Sequence, residues 1–220
     1  MENISTYLDV LYIIHYNKKN RKGGKFMNKG RMKISFNSPV ILGFSGICLV
    51  ALVLNFLTRG FANNLLFSVY RSSLLSPFTY FRLIGHIFGH ASWSHFIGNM
   101  TLILVLGPLL EEKYGSANTA CVIFFTGLIT GFVHFMFFPH IQLLGASGVV
   151  FAFILLSSFT SMKEGEIPLT LILVTLIYIG GEVYDGIFVR DNISNLTHIL
   201  GGGVGAGFGY MMNVYQRKEI

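Results

Sequence analysis

Six stretches of this chain, at roughly residues 40–58, 95–110, 119–138, 146–162, 168–184 and 197–215, are long and apolar enough to be helices in lipid. Nothing else in the sequence limits the fold as much. Charged residues make up 12% of the chain, against about 25% in an ordinary soluble domain, and 52% of residues are hydrophobic. A surface so poor in charge is most simply covered by lipid. The expected fold class is therefore all-α, a polytopic membrane protein of six transmembrane helices. Several of the runs are short for a full crossing, which implies a thinned bilayer or helices buried among their neighbours. Pro39 and Pro168 suit the first turns of the first and fifth helices. The Lys163-Glu164-Gly165-Glu166 cluster before Pro168 reads as a turn.

The formal charge of +6 is confined to one end. Residues 1–39 carry eight basic and two acidic groups, so the remainder of the chain is balanced. A basic stretch beside an apolar segment is what a cytoplasmic flank near anionic lipid looks like. The division expected is a basic cytoplasmic tail over 1–39 and a helical domain over 40–216. Nucleic-acid binding would need basic residues on a folded face with stacking aromatics, so no nucleic-acid partner is expected. The apolar patch Val10-Leu11-Tyr12-Ile13-Ile14 is too short for a span and lacks a cleavage site. Met27 and Met32 are alternative starts to Met1. Cys48 and Cys121 lie in apolar segments and read as small core residues, not as a disulfide framework.

With the tail inside, twelve basic residues fall on the inner side and four, Arg59, Arg71, Arg82 and Arg190, on the outer side. That bias puts both termini in the cytoplasm. The aromatic segment 59–94 is expected to lie in the membrane interface. Ser147 then opens the fourth helix, His198 the sixth, and His95 with Asn99 the second, all three helices running inward. The four side chains are expected at similar depth near the outer face.

Those residue types at one depth make a nucleophilic site. A serine hydroxyl needs a neighbouring base, and His198 can serve if its helix comes close. Gly201, Gly205 and Gly209 follow it at four-residue spacing, a flat strip that admits another helix backbone. Gly145 and Gly148 flank the serine and permit a tight turn and close approach. The helix N-terminus brings free N–H groups to a developing oxyanion. His95 and Asn99, one turn apart, can donate to the same oxygen. The alternative of a metal bound by His86, His90 and His95 is disfavoured, since no HExxH pattern occurs and the next acid is Glu111. No metal and no cofactor are expected.

Taken together, residues 78–210 resemble the rhomboid family of intramembrane serine proteases. The resemblance rests on Arg82, the run His86 to Met100 with His90, His95 and Asn99, the Gly145-Ala146-Ser147-Gly148 motif, and His198 with Gly201 and Gly205. Gly107, Glu111 and Gly115-Ser116 also match the turn after the family's second helix. The resemblance implies a six-helix bundle with an outward-opening cavity and a Ser147–His198 dyad without a third acid. It implies an oxyanion site from His95, Asn99 and the Ser147 backbone N–H, with His90 and Arg82 supporting the first loop and the fifth helix acting as a side gate. Two departures stand out: Phe81-Arg82 where the family often has Trp-Arg, and Phe151 where a tyrosine often stacks under the histidine. A phenyl ring can stack equally well.

The function expected is that of an endopeptidase cutting in or near transmembrane segments of single-pass or polytopic membrane proteins. The alternative is a rhomboid-like pseudoenzyme that binds such segments without cleavage. A small transporter would show internal repeats, and none is evident. The protein is expected in the cell membrane. Its substrate, its oligomeric state and the role of residues 1–39 are left open by the sequence.

Overall fold

The computed structural model describes residues 35–160, 162, 166–188 and 192–216, apart from the side chains of 185–188, 192–194 and 214–216. Most of the basic tail, both alternative starts and most of the Lys163–Glu166 turn lie outside the described residues. The described residues are helical apart from short connections, with one isolated antiparallel bridge between Val69 and Leu143.

Eight α-helices are formed among the described residues. They are α1 (Pro39–Leu57), α2 (Pro77–Gly85), α3 (Trp93–Tyr114), α4 (Ser116–Phe137), α5 (Ser147–Ser158), α6 (Leu169–Val174), α7 (Gly180–Phe188) and α8 (Asn192–Gln216). Helices α1, α3 and α4 are long and apolar enough, by length and composition, to cross a membrane. α5 has only 12 residues, about 18 Å of rise, which is well short of a hydrocarbon core of about 30 Å. Its residues are nearly all buried, with Val149, Ala152 and Phe153 fully enclosed. It is a central packing element, and its shortness is matched by neighbours that surround it.

Pro39 stands in the first turn of α1 as its missing N–H allows. The next donors, Val40 N and Ile41 N, give their hydrogen bonds to the two Glu111 carboxylate oxygens at 3.1 and 3.0 Å. Ser116 Oγ donates to Glu111 Oε1 at 2.6 Å, so one carboxylate joins the start of α1, the end of α3 and the start of α4. Gly115, at φ 84°, makes the sharp turn between α3 and α4. Pro168 precedes α6 in extended conformation instead of entering its first turn, with φ −59° and ψ 131°.

The segment 59–94 is built, not loose. It contains a π-helical turn at Asn63–Phe67, α2, and a 3-10 turn at His86–Phe88. Arg82, buried, is its organiser. Its guanidinium donates to the Leu65 carbonyl (3.3 Å), Tyr70 Oη (3.1 Å), Ser72 Oγ (2.6 Å) and Thr79 Oγ1 (3.4 Å), and lies over the Tyr70 ring. Both terminal guanidinium nitrogens are thus satisfied, which is what makes the buried charge tolerable, while Nε has no partner.

α8 packs along α5 with almost no side chain between them. A Cβ at Gly201 would collide with the Gly148 carbonyl oxygen, and one at Gly205 with that of Ala152. One Cβ at Gly209 would sit 2.7 Å from the Phe159 ring. The glycine strip thus brings two backbones into contact, which is the use such spacing has in lipid. Asn213 Nδ2 fastens the far end, donating to the Phe159 and Gly209 carbonyls.

Candidate active site

Ser147 is the first residue of α5, preceded by Ala146 at the cap position. The approach to it is held at two points. Val69 and Leu143 exchange backbone hydrogen bonds of 2.9 and 3.0 Å, and Gly145 N donates to the His86 carbonyl at 2.9 Å. Gly145 has φ +136°, a conformation open to glycine, and a Cβ there would stand 2.8 Å from the His95 ring. The turn into Ser147 is therefore built over His95, and Asn99 Nδ2 lies 3.9 Å from the same position.

Asn99 is oriented from below. The Phe88 carbonyl, 3.1 Å from His90 Nδ1, can only accept, so Nδ1 carries the hydrogen. Nε2 of the neutral ring then accepts from Asn99 Nδ2 at 3.2 Å. Burial, reinforced by the neighbouring His95, pushes His90 down to about 4, which keeps it neutral. Its own carbonyl accepts from Asn63 Nδ2 at 3.1 Å, and its ring meets that of His95 edge-on at 5.1 Å. With one amide hydrogen on His90, Asn99 keeps its second hydrogen for another acceptor. His86, fully buried, is likewise pushed to about 4 by burial and contacts Thr130 Oγ1 at 3.3 Å.

His198 does not open its helix; it stands nearly two turns into α8, because the polar run beginning at Asn192 is helical too. Its imidazole lies flat on Phe151, with ring centroids 4.3 Å apart and planes within 4° of parallel. Phe151 is one turn beyond Ser147 on α5. Gly148 takes part in the helix contact, since Gly201 lies against its carbonyl. His95 is close enough to His198 to interact electrostatically. Ser147, His198, His95 and Asn99 thus surround one turn of backbone. No hydrogen bond joins the Ser147 and His198 side chains among the described residues.

One neighbour was not foreseen. Glu182 Oε1 of α7 lies 3.0 Å from His198 Nδ1, where the resemblance implied a dyad with no acid. The approach is close but off the N–H axis, leaving Nδ1 without an aligned acceptor. An acid inside an apolar segment was the available signal.

Such an arrangement offers a hydroxyl at a helix N-terminus, an imidazole on an adjacent helix, and an oriented amide near the Gly145 turn. Residues 77–214 match the family model of the rhomboid domain. The chain is 30% identical over 159 residues to mouse (Mus musculus) Rhomboid-related protein 2, covering 62% of this chain and 52% of that protein. It is 26% identical over 148 residues to Rhomboid-related protein 1 of Caenorhabditis elegans, covering 62% and 42%. The chain spans about half the length of the curated relatives it matches. With a matched region running from the start of α2 almost to the end of α8, the chain belongs to the rhomboid domain family.

Proposed function

We propose that this chain is a serine endopeptidase embedded in the membrane, cutting membrane proteins in or near their transmembrane segments with a Ser147–His198 dyad. The support comes chiefly from convergence: His95 and Asn99 lie against Gly145 just before Ser147, and the His198 ring lies on Phe151 one turn beyond it, although these residues are remote in sequence.

In this reading six helical segments occupy the bilayer, both termini face the cytoplasm, and the site opens near the outer face of the cell membrane. His198, neutral at rest, takes the Ser147 proton as Oγ attacks the substrate carbonyl. The negative oxygen is met by His95, by the free Asn99 amide hydrogen and by backbone N–H groups at the start of α5. The imidazolium then gives its proton to the leaving amine as the C–N bond breaks. Water, deprotonated by the same histidine, releases the acyl group. Intact substrate helices shield their amides, so cleavage favours segments weakened by Gly, Pro or polar residues.

Purified protein in liposomes with a labelled transmembrane substrate tests this. Wild type is expected to release a fragment, and Ser147→Ala to release none while still binding. Equal cleavage by the two proteins would refute the mechanism. Binding without cleavage by wild type would favour a helix-capturing pseudoenzyme.

A further inference from the structure

We propose that Glu182 is a positioning residue for His198, the third member of the site, carried on a segment at the edge of the bundle. The inference rests on the protease reading above for its consequence, though not for its geometry.

Glu182 is an acid within an apolar helical segment, a placement that costs enough to need a partner. Its carboxylate lies 3.0 Å from His198 Nδ1, and both side chains are 16% exposed. A carboxylate can only accept, so alignment of this pair fixes the hydrogen on Nδ1 and leaves Nε2 bare. Phe151 covers one face of the same ring. Ring plane and tautomer are then both set, by two different helices.

The carrier of Glu182 lies on the outside of the bundle, with Leu171, Val174 and Ile179 packed against the core. α6 and the π-helical turn Thr175–Ile179 contain no buried residue, and the turn runs directly into Gly180 and Gly181. A Cβ on either glycine would touch nothing within 4 Å. An apolar groove of about 360 Å³, lined by Leu155, Leu171, Thr175, Ile179, Gly202 and Ala206, lies where this segment meets α5 and α8. π-turns often mark functional sites. The contact is close but off-axis, so the orientation of α7 relative to α8 sets how well His198 is held.

The test compares wild type, Glu182→Gln and Glu182→Leu in proteoliposomes, with nitrogen-15 NMR of the His198 ring. Glu182→Leu is expected to lower kcat by roughly tenfold or more with KM little changed, since a mispositioned base is lost from the chemical step. Glu182→Gln keeps an accepting carbonyl and is expected to recover most of that loss. The wild-type ring is expected to carry its hydrogen on Nδ1, and the leucine variant to show a mixture of tautomers. A leucine variant with wild-type kcat, or a wild-type ring protonated on Nε2, would overturn the proposal. If wild type cleaves nothing while the tautomer still depends on Glu182, the protease reading fails and the pairing stands.

Discussion

Phe151 and His198 lie face to face, their ring centroids 4.3 Å apart and their planes within 4° of parallel. One ring comes from α5, which begins with Ser147, and the other from α8, whose glycines lie against that helix. The stack therefore reports the same close contact of α5 and α8 that the glycines make.

Phe151→Tyr preserves a flat face and is expected to retain cleavage. Phe151→Ala removes it; a stack of this kind is worth about 0.5–1.5 kcal/mol beyond area, so kcat should fall by roughly two- to tenfold. Initial-rate measurements on both variants check this, and a tyrosine variant as slow as the alanine one would count against the stack.

The glycines of α8 divide into two sets. At Gly205 a methyl group meets the Ala152 carbonyl, whereas at Gly203 and Gly207 it meets nothing within 4 Å. Gly205→Ala is expected to force the helices apart at a cost of about 1–3 kcal/mol and to reduce activity. Gly207→Ala should be neutral or mildly stabilising, since alanine is the better helix former. Thermal unfolding in detergent distinguishes them; equal midpoints would mean that the close contact does not exist.

Asn99 holds one hydrogen on His90 and keeps one free. If that free hydrogen serves the oxyanion as proposed, replacing Asn99 with alanine removes a donor worth about 2.7–4 kcal/mol, so kcat should drop by roughly 10²–10³. It also leaves His90 Nε2 unpaired, with a stability loss of about 1–3 kcal/mol. Both are measurable in one preparation, and unchanged kcat would remove Asn99 from the chemistry.

His86 and His90 are held near 4 by burial, below the 6.5 of a free histidine. Between those values the unfolded chain binds protons that the folded one refuses, so stability rises with pH there. Full stability is present above about pH 6.5 and declines as the pH falls toward 4. Melting curves across that window should show a falling midpoint. A flat profile would mean that the two rings are not buried neutral.

Much of the architecture was readable because lipid demands long apolar runs: the limits of α1, α3 and α4 fall within a few residues of those runs. The start of α5 was legible from Gly145-Ala146-Ser147, where a glycine turn meets an apolar run. The start of α8 was not, because Asn192 to Thr197 is polar and hydropathy says nothing of a helix that extends beyond the apolar part. The short pieces between 59 and 94 were hidden for the opposite reason: Arg82 gathers them by tertiary hydrogen bonds that no periodicity encodes. Glu182 was visible as an acid in an apolar segment, but the π-turn before it disrupts the helical register, so spacing does not say which face it occupies. His90 was placed only through the resemblance; its link to Asn99 depends on the 3-10 turn at His86–Phe88.

The most direct test of the central claim is labelling by a fluorophosphonate probe, with the modified residue mapped by mass spectrometry. A hydroxyl activated by an adjacent imidazole should react, giving wild-type protein modified at Ser147, with Ser147→Ala silent and His198→Ala strongly reduced. Wild-type protein that is folded yet unmodified, or equal labelling of Ser147→Ala, would contradict the account.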